Sequence, residues 1–235
     1  YQVSDMDDVL ARIGGRSQRL FKSPKLLLEQ FVENARHIEV QFVRDQQGNF
    51  LDLGTRECSL QLRYQKMVEI APAWMLTQEQ EIEISNYVKN IVDLVDYCGV
   101  GTVEFLLTEK GEILFLEINP RLQVEHGITE LITGLDLVEM QILIANGEDL
   151  PISQEEVHIE GYAVEVRVST LIQNPQDPTV FIPVIGTVEE VHFPEMKNVR
   201  IDHALREEEE IGPNYNPTQL KAMAWGQTRK KAINK

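Results

Sequence analysis

Apolar residues recur along this chain with two distinct periods. Met6, Val9, Leu10 and Ile13 follow a spacing of three and four, which predicts a helix over 5–20 opened by Ser4 with Asp7 three residues on. Ile84, Tyr87, Ile91 and Val95 predict a second, opened by Thr77 with Gln80 and capped by Gly99. A third begins at Asp136 with Glu139, continues through Ile144 and ends near Gly147. Elsewhere the period is two. Ile38, Val40 and Phe42 face one way, His37, Glu39 and Gln41 the other, and Gln46-Gln47-Gly48-Asn49 turns the chain back into Phe50–Leu53. Residues 26–32 form a short strand or hinge, and Pro151 starts a linker into a β-rich C-terminal segment. The sum is an α+β chain with mostly antiparallel strands.

One strand breaks the apolar pattern with chemistry. Glu117, Asn119, Arg121 and Gln123 stand at spacing two, so an extended backbone points them the same way, with Leu114, Leu116 and Ile118 facing a core. The preceding strand, Thr102 to Leu107, carries one carboxylate, Glu104. If Lys110 and Gly111 form the turn, Glu109 pairs with Glu112, and counting outward pairs Glu104 with Glu117. Two opposed carboxylates repel, and a divalent cation removes the conflict. Mg²⁺ is commonly held by one or two carboxylates plus substrate phosphates, and an arginine suits an anionic oxygen.

Composition narrows the class. The 235 residues are 43% apolar, enough for a core, with no run long enough to span a membrane and no signal-peptide pattern at the start. Two cysteines, Cys58 and Cys98, fit a reducing compartment. A net charge of −16 argues against nucleic acid. An anion site must therefore be basic locally, and Arg63, Lys66, Arg121 and Arg167 are the candidates. Arg206 to Glu210 is a solvated acidic loop.

These residues sit in segments that resemble the biotin carboxylases, the ATP-grasp component of biotin-dependent carboxylases. The segment from LFLEINPRLQVEH (114–126) to Pro151 resembles their metal and catalytic strand. LLLEQFVENARHIEVQ (26–41) is similar to the lobe hinge, TRECSLQLRYQKMVEIAP (55–72) to the nucleotide and bicarbonate segment, and GYAVEVRV (161–168) to the first strand of the C-terminal domain. NYNPTQLKAMAWGQTRKKAI (214–233) resembles a later stretch of that domain. The resemblance implies the tail of an ATP-grasp small lobe at 1–25, a mostly antiparallel large lobe at 26–150, and an incomplete C-terminal domain at 151–235. Gly14-Gly15 interrupts a helix and is not the family's phosphate loop, so the chain is expected to be a piece of a longer polypeptide, and an inactive one in isolation.

The resemblance also implies roles. Glu104, Glu117 and Asn119 would hold Mg²⁺ or Mn²⁺ with ATP. Gln123, the Val124 backbone, Lys66 and Arg121 would cradle bicarbonate. Glu125 would be the general base, with a plain salt bridge to Arg121 as the alternative. Arg167 would stabilise the biotin enolate, or else pair with Glu165. Glu29, Gln30 and Val32 would read adenine, and His37, Gln61 and Tyr64 would face ribose or phosphate. Four positions depart from the family pattern: Gln30 for lysine, Leu62 for arginine, Tyr64 for histidine, and Gly127 for proline or threonine.

The implied activity is ATP-dependent carboxylation of biotin on a carrier protein, with bicarbonate as carbon source and carboxyphosphate as intermediate. Implied partners are a biotin carboxyl carrier domain, a carboxyltransferase and a second copy in a homodimer or larger assembly, in the cytoplasm or a mitochondrial matrix. Another ATP-grasp ligase, such as the carbamoyl phosphate synthetase large chain, and a non-catalytic homologue remain alternatives.

Overall fold

The computed structural model describes residues 6–177, 180–212 and 216–235. Two compact units are present, 1–33 and 34–235. The first holds helix α1 (Met6–Phe21), and residues 26–32 are irregular rather than a strand. Ser4, the expected cap of α1, lies outside the described residues.

The second unit is built on one eight-stranded antiparallel sheet. Its strands are β1 (Arg36–Arg44), β2 (Phe50–Leu62), β3 (Gln65–Ala71), β4 (Gly99–Leu107), β5 (Ile113–Asn119), β6 (Tyr162–Ser169), β10 (Val199–His203) and β12 (Thr218–Gly226), in the order β10-β12-β6-β3-β2-β1-β4-β5. Short pairs join β7 (Leu171–Gln173) to β8 (Phe181–Pro183) and β9 (Gly186–Thr187) to β11 (Glu210–Ile211). Strands from either side of Pro151 thus share one sheet through the β3–β6 ladder.

Helix α2 (Gln78–Leu94) covers one face of β1 and β4. The Thr77–Gln80 capping box opens it, and Ile84, Val88 and Val92 pack on Ile38, Val40, Phe42, Val103 and Phe105. Burying each such side chain contributes about 1.5–3 kcal/mol. Its C-cap is Val95, not Gly99; Gly99 instead opens β4 at φ +128°. Gly101 lets Phe42 lie close, since a Cβ there would meet the ring at 2.5 Å. Helix α4 (Leu137–Ala145), capped by Asp136, packs Leu137, Met140 and Ile144 on Leu51 and Leu53. Helix α3 (His126–Thr133) lies on the other face against Ala71, Ala163 and Met223. A short α5 (Arg229–Ile233) ends the chain.

The β4–β5 hairpin differs from the expected one. Thr108 pairs with Glu112, and the Gly111 N–H closes the turn on the Thr108 carbonyl. That turn alone would place Glu104 opposite Leu116. The ladder shifts by one residue, from Phe105↔Phe115 to Glu104↔Glu117, so Leu116 is a bulge. Glu117 regains the Glu104 face. Leu114, paired with Leu106, also lies on that face rather than in the core, and Leu114 and Leu116 are exposed.

Candidate active site

The face of the sheet opposite α2 carries buried charge. Period two brings His37, Glu39 and Gln41 of β1 beside Arg56 of β2 and Thr102 and Glu104 of β4. Glu39, Gln41, Arg56 and Glu104 are all buried. Charges in such a place require partners.

Lys66 of β3 is the hub. Its ammonium donates to Glu39 Oε2 at 2.5 Å, Glu125 Oε1 at 2.7 Å and Glu104 Oε1 at 2.9 Å. Burial opposes its charge, but Glu39 and the other carboxylates outweigh burial and raise its pKa. Arg56 uses all five of its N–H groups: Nε on Glu39, one terminal nitrogen on Gln41 and Thr129, the other on Thr102 and Gln123. It fixes Gln123, whose Nε2 donates to Glu104 Oε1 at 2.7 Å. Burial disfavours the Glu104 carboxylate, but the His37 imidazole and the Lys66 ammonium beside it prevail and hold its pKa at about 2.

Glu117 and Asn119 complete the edge. Asn119 Nδ2 donates to Glu104 Oε1 at 2.9 Å and to Glu117 Oε1 at 3.0 Å. One donor bridging two opposed carboxylates marks where a cation would fit, and with the Asn119 amide turned to present Oδ1 the three would offer the hard oxygen donors Mg²⁺ or Mn²⁺ takes. Bound there, the metal would supply positive charge to phosphoryl oxygens. Two other clusters have metal-like spacing, His37–Glu39–Glu104 and Glu39–Cys58–Glu125. The Lys66 ammonium already bonds two carboxylates of each, so it takes the cation's place.

Glu125 precedes α3 and is buried. Its Oε1 accepts from Lys66, and its Oε2 accepts from Arg167 at 2.8 Å. The alternative salt bridge to Arg121 is not made: exposed Arg121 donates to Asn119 Oδ1 at 3.2 Å and the Leu122 carbonyl at 3.3 Å. Arg167 reaches Glu69 through Nε at 2.8 Å as well as Glu125, and these, not Glu165, are its ion-pair partners. The Val124 carbonyl accepts from Lys221 at 2.5 Å.

Among the expected nucleotide contacts, His37 Nδ1 accepts from Gln61 at 2.8 Å, which places the ring proton on Nε2, 2.5 Å from Glu104 Oε2. Tyr64 stands apart. Arg63 and Tyr64 form the β2–β3 turn with φ +52° and +66°, and Tyr64 is 87% exposed. Glu29, Gln30 and Val32 belong to the first unit, in irregular backbone. At Gly127 a Cβ would meet Met223 Sδ at 2.3 Å, so methionine fills the space of the missing side chain.

Sequence reasoning gave no role to Arg56, Glu69 and Lys221; it placed Glu39 only on a polar strand face and named Glu165 only as an alternative partner of Arg167. Their shared signal is a charged residue inside an apolar strand.

Comparison with known proteins places this geometry. Residues 2–153 match the family described as "Carbamoyl-phosphate synthase L chain, ATP binding domain", and residues 165–235 match "Biotin carboxylase C-terminal domain". The chain belongs to the biotin carboxylase family. It is 41% identical to the 2-oxoglutarate carboxylase small subunit of Hydrogenobacter thermophilus over 92% of its length and 45% of that protein. It is 40% identical to biotin carboxylase 2 of Bacillus subtilis over 94% of its length and 48% of that protein. The biotin carboxylase domain dimer of the Hydrogenobacter enzyme, solved with MgADP, ADP and bicarbonate, superposes with a TM-score of 0.91 at 38% identity, covering 98% of this chain and 50% of that one. The chain thus spans about half the length of the family members it matches, and its mostly antiparallel α+β architecture is theirs.

Proposed function

We propose that this chain supplies the bicarbonate-activating and biotin-facing half of a biotin carboxylase. In the full-length protein it would carry out ATP-dependent carboxylation of biotin on a carrier protein, with bicarbonate as carbon source, through carboxyphosphate. The observation that carries this reading is Glu125 held between Lys66 at 2.7 Å and Arg167 at 2.8 Å. The base is placed to remove the bicarbonate proton, and the two cations beside it serve the anions: Lys66 that of bicarbonate, Arg167 the one formed on biotin.

Glu125 is the base. Lys66, Gln123, the Val124 N–H and Arg121 cradle bicarbonate, and Arg167 stabilises the biotin enolate. Glu104, Glu117 and Asn119 hold the divalent metal. Glu29, Gln30 and Val32 read adenine, and His37 and Gln61 face ribose or phosphate; Tyr64, turned to solvent, contributes little. Residues 1–25 close the small lobe, 26–150 form the large lobe, and 151–235 belong to the C-terminal domain. The gap between the two family matches, 153 to 165, lies just beyond Pro151.

The implied partners are a biotin carboxyl carrier domain, a carboxyltransferase and a second copy, since relatives are subunits or domains of carboxylases and one was solved as a domain dimer. Among the described residues no helix is long and apolar enough to cross a membrane. The proposed location is the cytoplasm, or a mitochondrial matrix as some relatives are mitochondrial. The test is ADP release and carboxybiotin formation by the full-length protein with bicarbonate and biotinylated carrier. Dependence of both on bicarbonate supports the reading. ATP turnover that never yields carboxybiotin overturns it.

A further inference from the structure

Beside Arg167 lie two buried carboxyls to which this chemistry gives no task. Glu69 of β3 and Glu165 of β6 are partners across the ladder, and each is 0% exposed. Side chains opposed in this way lie on the same face, with their Cβ atoms roughly 4.5–5.5 Å apart. Glu69 Oε1 accepts from Arg167, but Glu69 Oε2 and both oxygens of Glu165 have no hydrogen-bond partner among the described residues. Two adjacent buried carboxylates cannot both stay charged cheaply. A single proton between them removes one charge and satisfies two of the orphaned oxygens.

The surrounding charges decide where that proton rests. From β3 comes Glu69, from β6 itself Arg167, from β12 Lys221, from the entrance to α3 Glu125, and from β1, beyond β2, Glu39, whose charge also raises Glu69. Lys221 is engaged by the Val124 carbonyl and by Asp202 at 3.4 Å. On α3, His126 Nδ1 lies on the Gln123 carbonyl, and Glu130 accepts from Arg200 of β10. On α5, Arg229 stacks on Trp74 and Lys231 bonds Gln227. Among the described residues no cation bonds Glu165, whereas Arg167 bonds Glu69. Burial, then the Glu69 charge, push the Glu165 carboxyl up to about 8. Burial pushes Glu69 up to about 7 against the pull of Arg167. A pair this close titrates as a unit, with the proton on Glu165.

We propose that Glu69 and Glu165 share one proton and act together as the positioning pair of Arg167. In the protonated form Glu69 is the carboxylate that seats the guanidinium against Glu125. Loss of the proton would add a third carboxylate around Arg167 and weaken the positive field it offers. The inference rests on the reading of Arg167 as the group facing the biotin anion.

Infrared difference titration of the full-length protein tests it, with glutamate carboxyl carbons isotopically labelled. The expected result is a protonated-carboxyl band that persists above the range of free glutamate, disappears as pH rises through neutrality, and is lost in Glu165→Gln. In Glu69→Gln, which removes the neighbouring charge, its midpoint should move to lower pH. The kcat for biotin carboxylation should fall through the same midpoint as the band, and Glu165→Gln should lose that alkaline fall. Absence of the band in the wild type, or its survival in Glu165→Gln, overturns the shared proton. A band that titrates while kcat ignores it overturns the positioning role. A normal band in a protein that never carboxylates biotin leaves the pair standing and removes the function proposed above.

Discussion

Glu104 and Glu117 stand opposite each other because Leu116 is an extra residue in β5. The Thr108–Glu112 closure sets a ladder that would send Glu117 to the core face, and the bulge returns it. If the bulge serves only this register, deleting Leu116 leaves Glu117 opposite Glu104 in a regular ladder. Mn²⁺ binding in the presence of ADP, followed by electron paramagnetic resonance on the full-length protein, should survive that deletion. Glu117→Gln should weaken it by at least the about 10–100-fold typical of disturbing a metal site's supporting groups. Equal affinity in Glu117→Gln and wild type would remove Glu117 from the metal site.

Arg56 predicts a stability effect without substrate contact. Its five donors meet five acceptors in a fully buried site, and Glu39 loses a counter-ion if it goes. Arg56→Met should cost on the order of 3–5 kcal/mol in urea unfolding. Arg56→Lys should recover little, because three mobile donors cannot replace a planar fork of five. A loss below about 1 kcal/mol, the net worth of one ordinary hydrogen bond, would show that the site relaxes around the gap.

Asp45 predicts a pH effect far from the chemistry. It caps the β1–β2 turn by accepting from the Gln47 and Asn49 backbone and the Asn49 side chain, and it ties in Leu150 at 3.1 Å. Burial opposes its charge, but these hydrogen bonds win and lower its pKa below the ordinary 3.8. A depressed folded value stabilises the fold above 3.8, and that share is lost as pH falls towards the folded value. The Tm gap between wild type and Asp45→Asn should therefore narrow as the pH is lowered below 3.8. A constant gap would mean that the carboxylate charge contributes nothing.

The strand and helix pattern was legible where an element packs an apolar face at a regular period, as Ile38, Val40 and Phe42 do against Ile84 and Val88. The Glu104–Glu117 pair was legible by counting, although the turn closes one residue away from the expected place and a bulge compensates. Neither bulges nor the Arg63–Tyr64 turn announce themselves, since both turn residues take positive φ without glycine or asparagine. Lys66, Glu125 and Arg167 were singled out by motif resemblance, Lys66 and Arg167 also as candidates for local positive charge, and the fold brings the three together. Their partners Glu39 and Glu69, and the Arg56 that pairs with Glu39, were given no such role, because pairing across a sheet is set by register, which local spacing does not reveal.

With the roles proposed for them, Arg167 and Glu125 should separate the two half-reactions. An arginine facing the biotin enolate acts in carboxyl transfer, not in making carboxyphosphate, and removing one such donor typically costs about 10²–10³ in rate. In the full-length protein Arg167→Ala should lose carboxylation on that scale. It should keep much of the bicarbonate-dependent ATP hydrolysis, because Lys66 still holds Glu125 at 2.7 Å. Glu125→Gln should depress both activities, since bicarbonate then lacks its base and both cations lose their shared carboxylate. Arg167→Lys discriminates further: a lysine keeps the charge but cannot span Glu69 and Glu125 with a planar fork, so it should recover only part of the carboxylation rate. Should Arg167→Ala remove ATP hydrolysis and carboxylation in equal proportion, Arg167 would instead serve only to hold Glu125 in place.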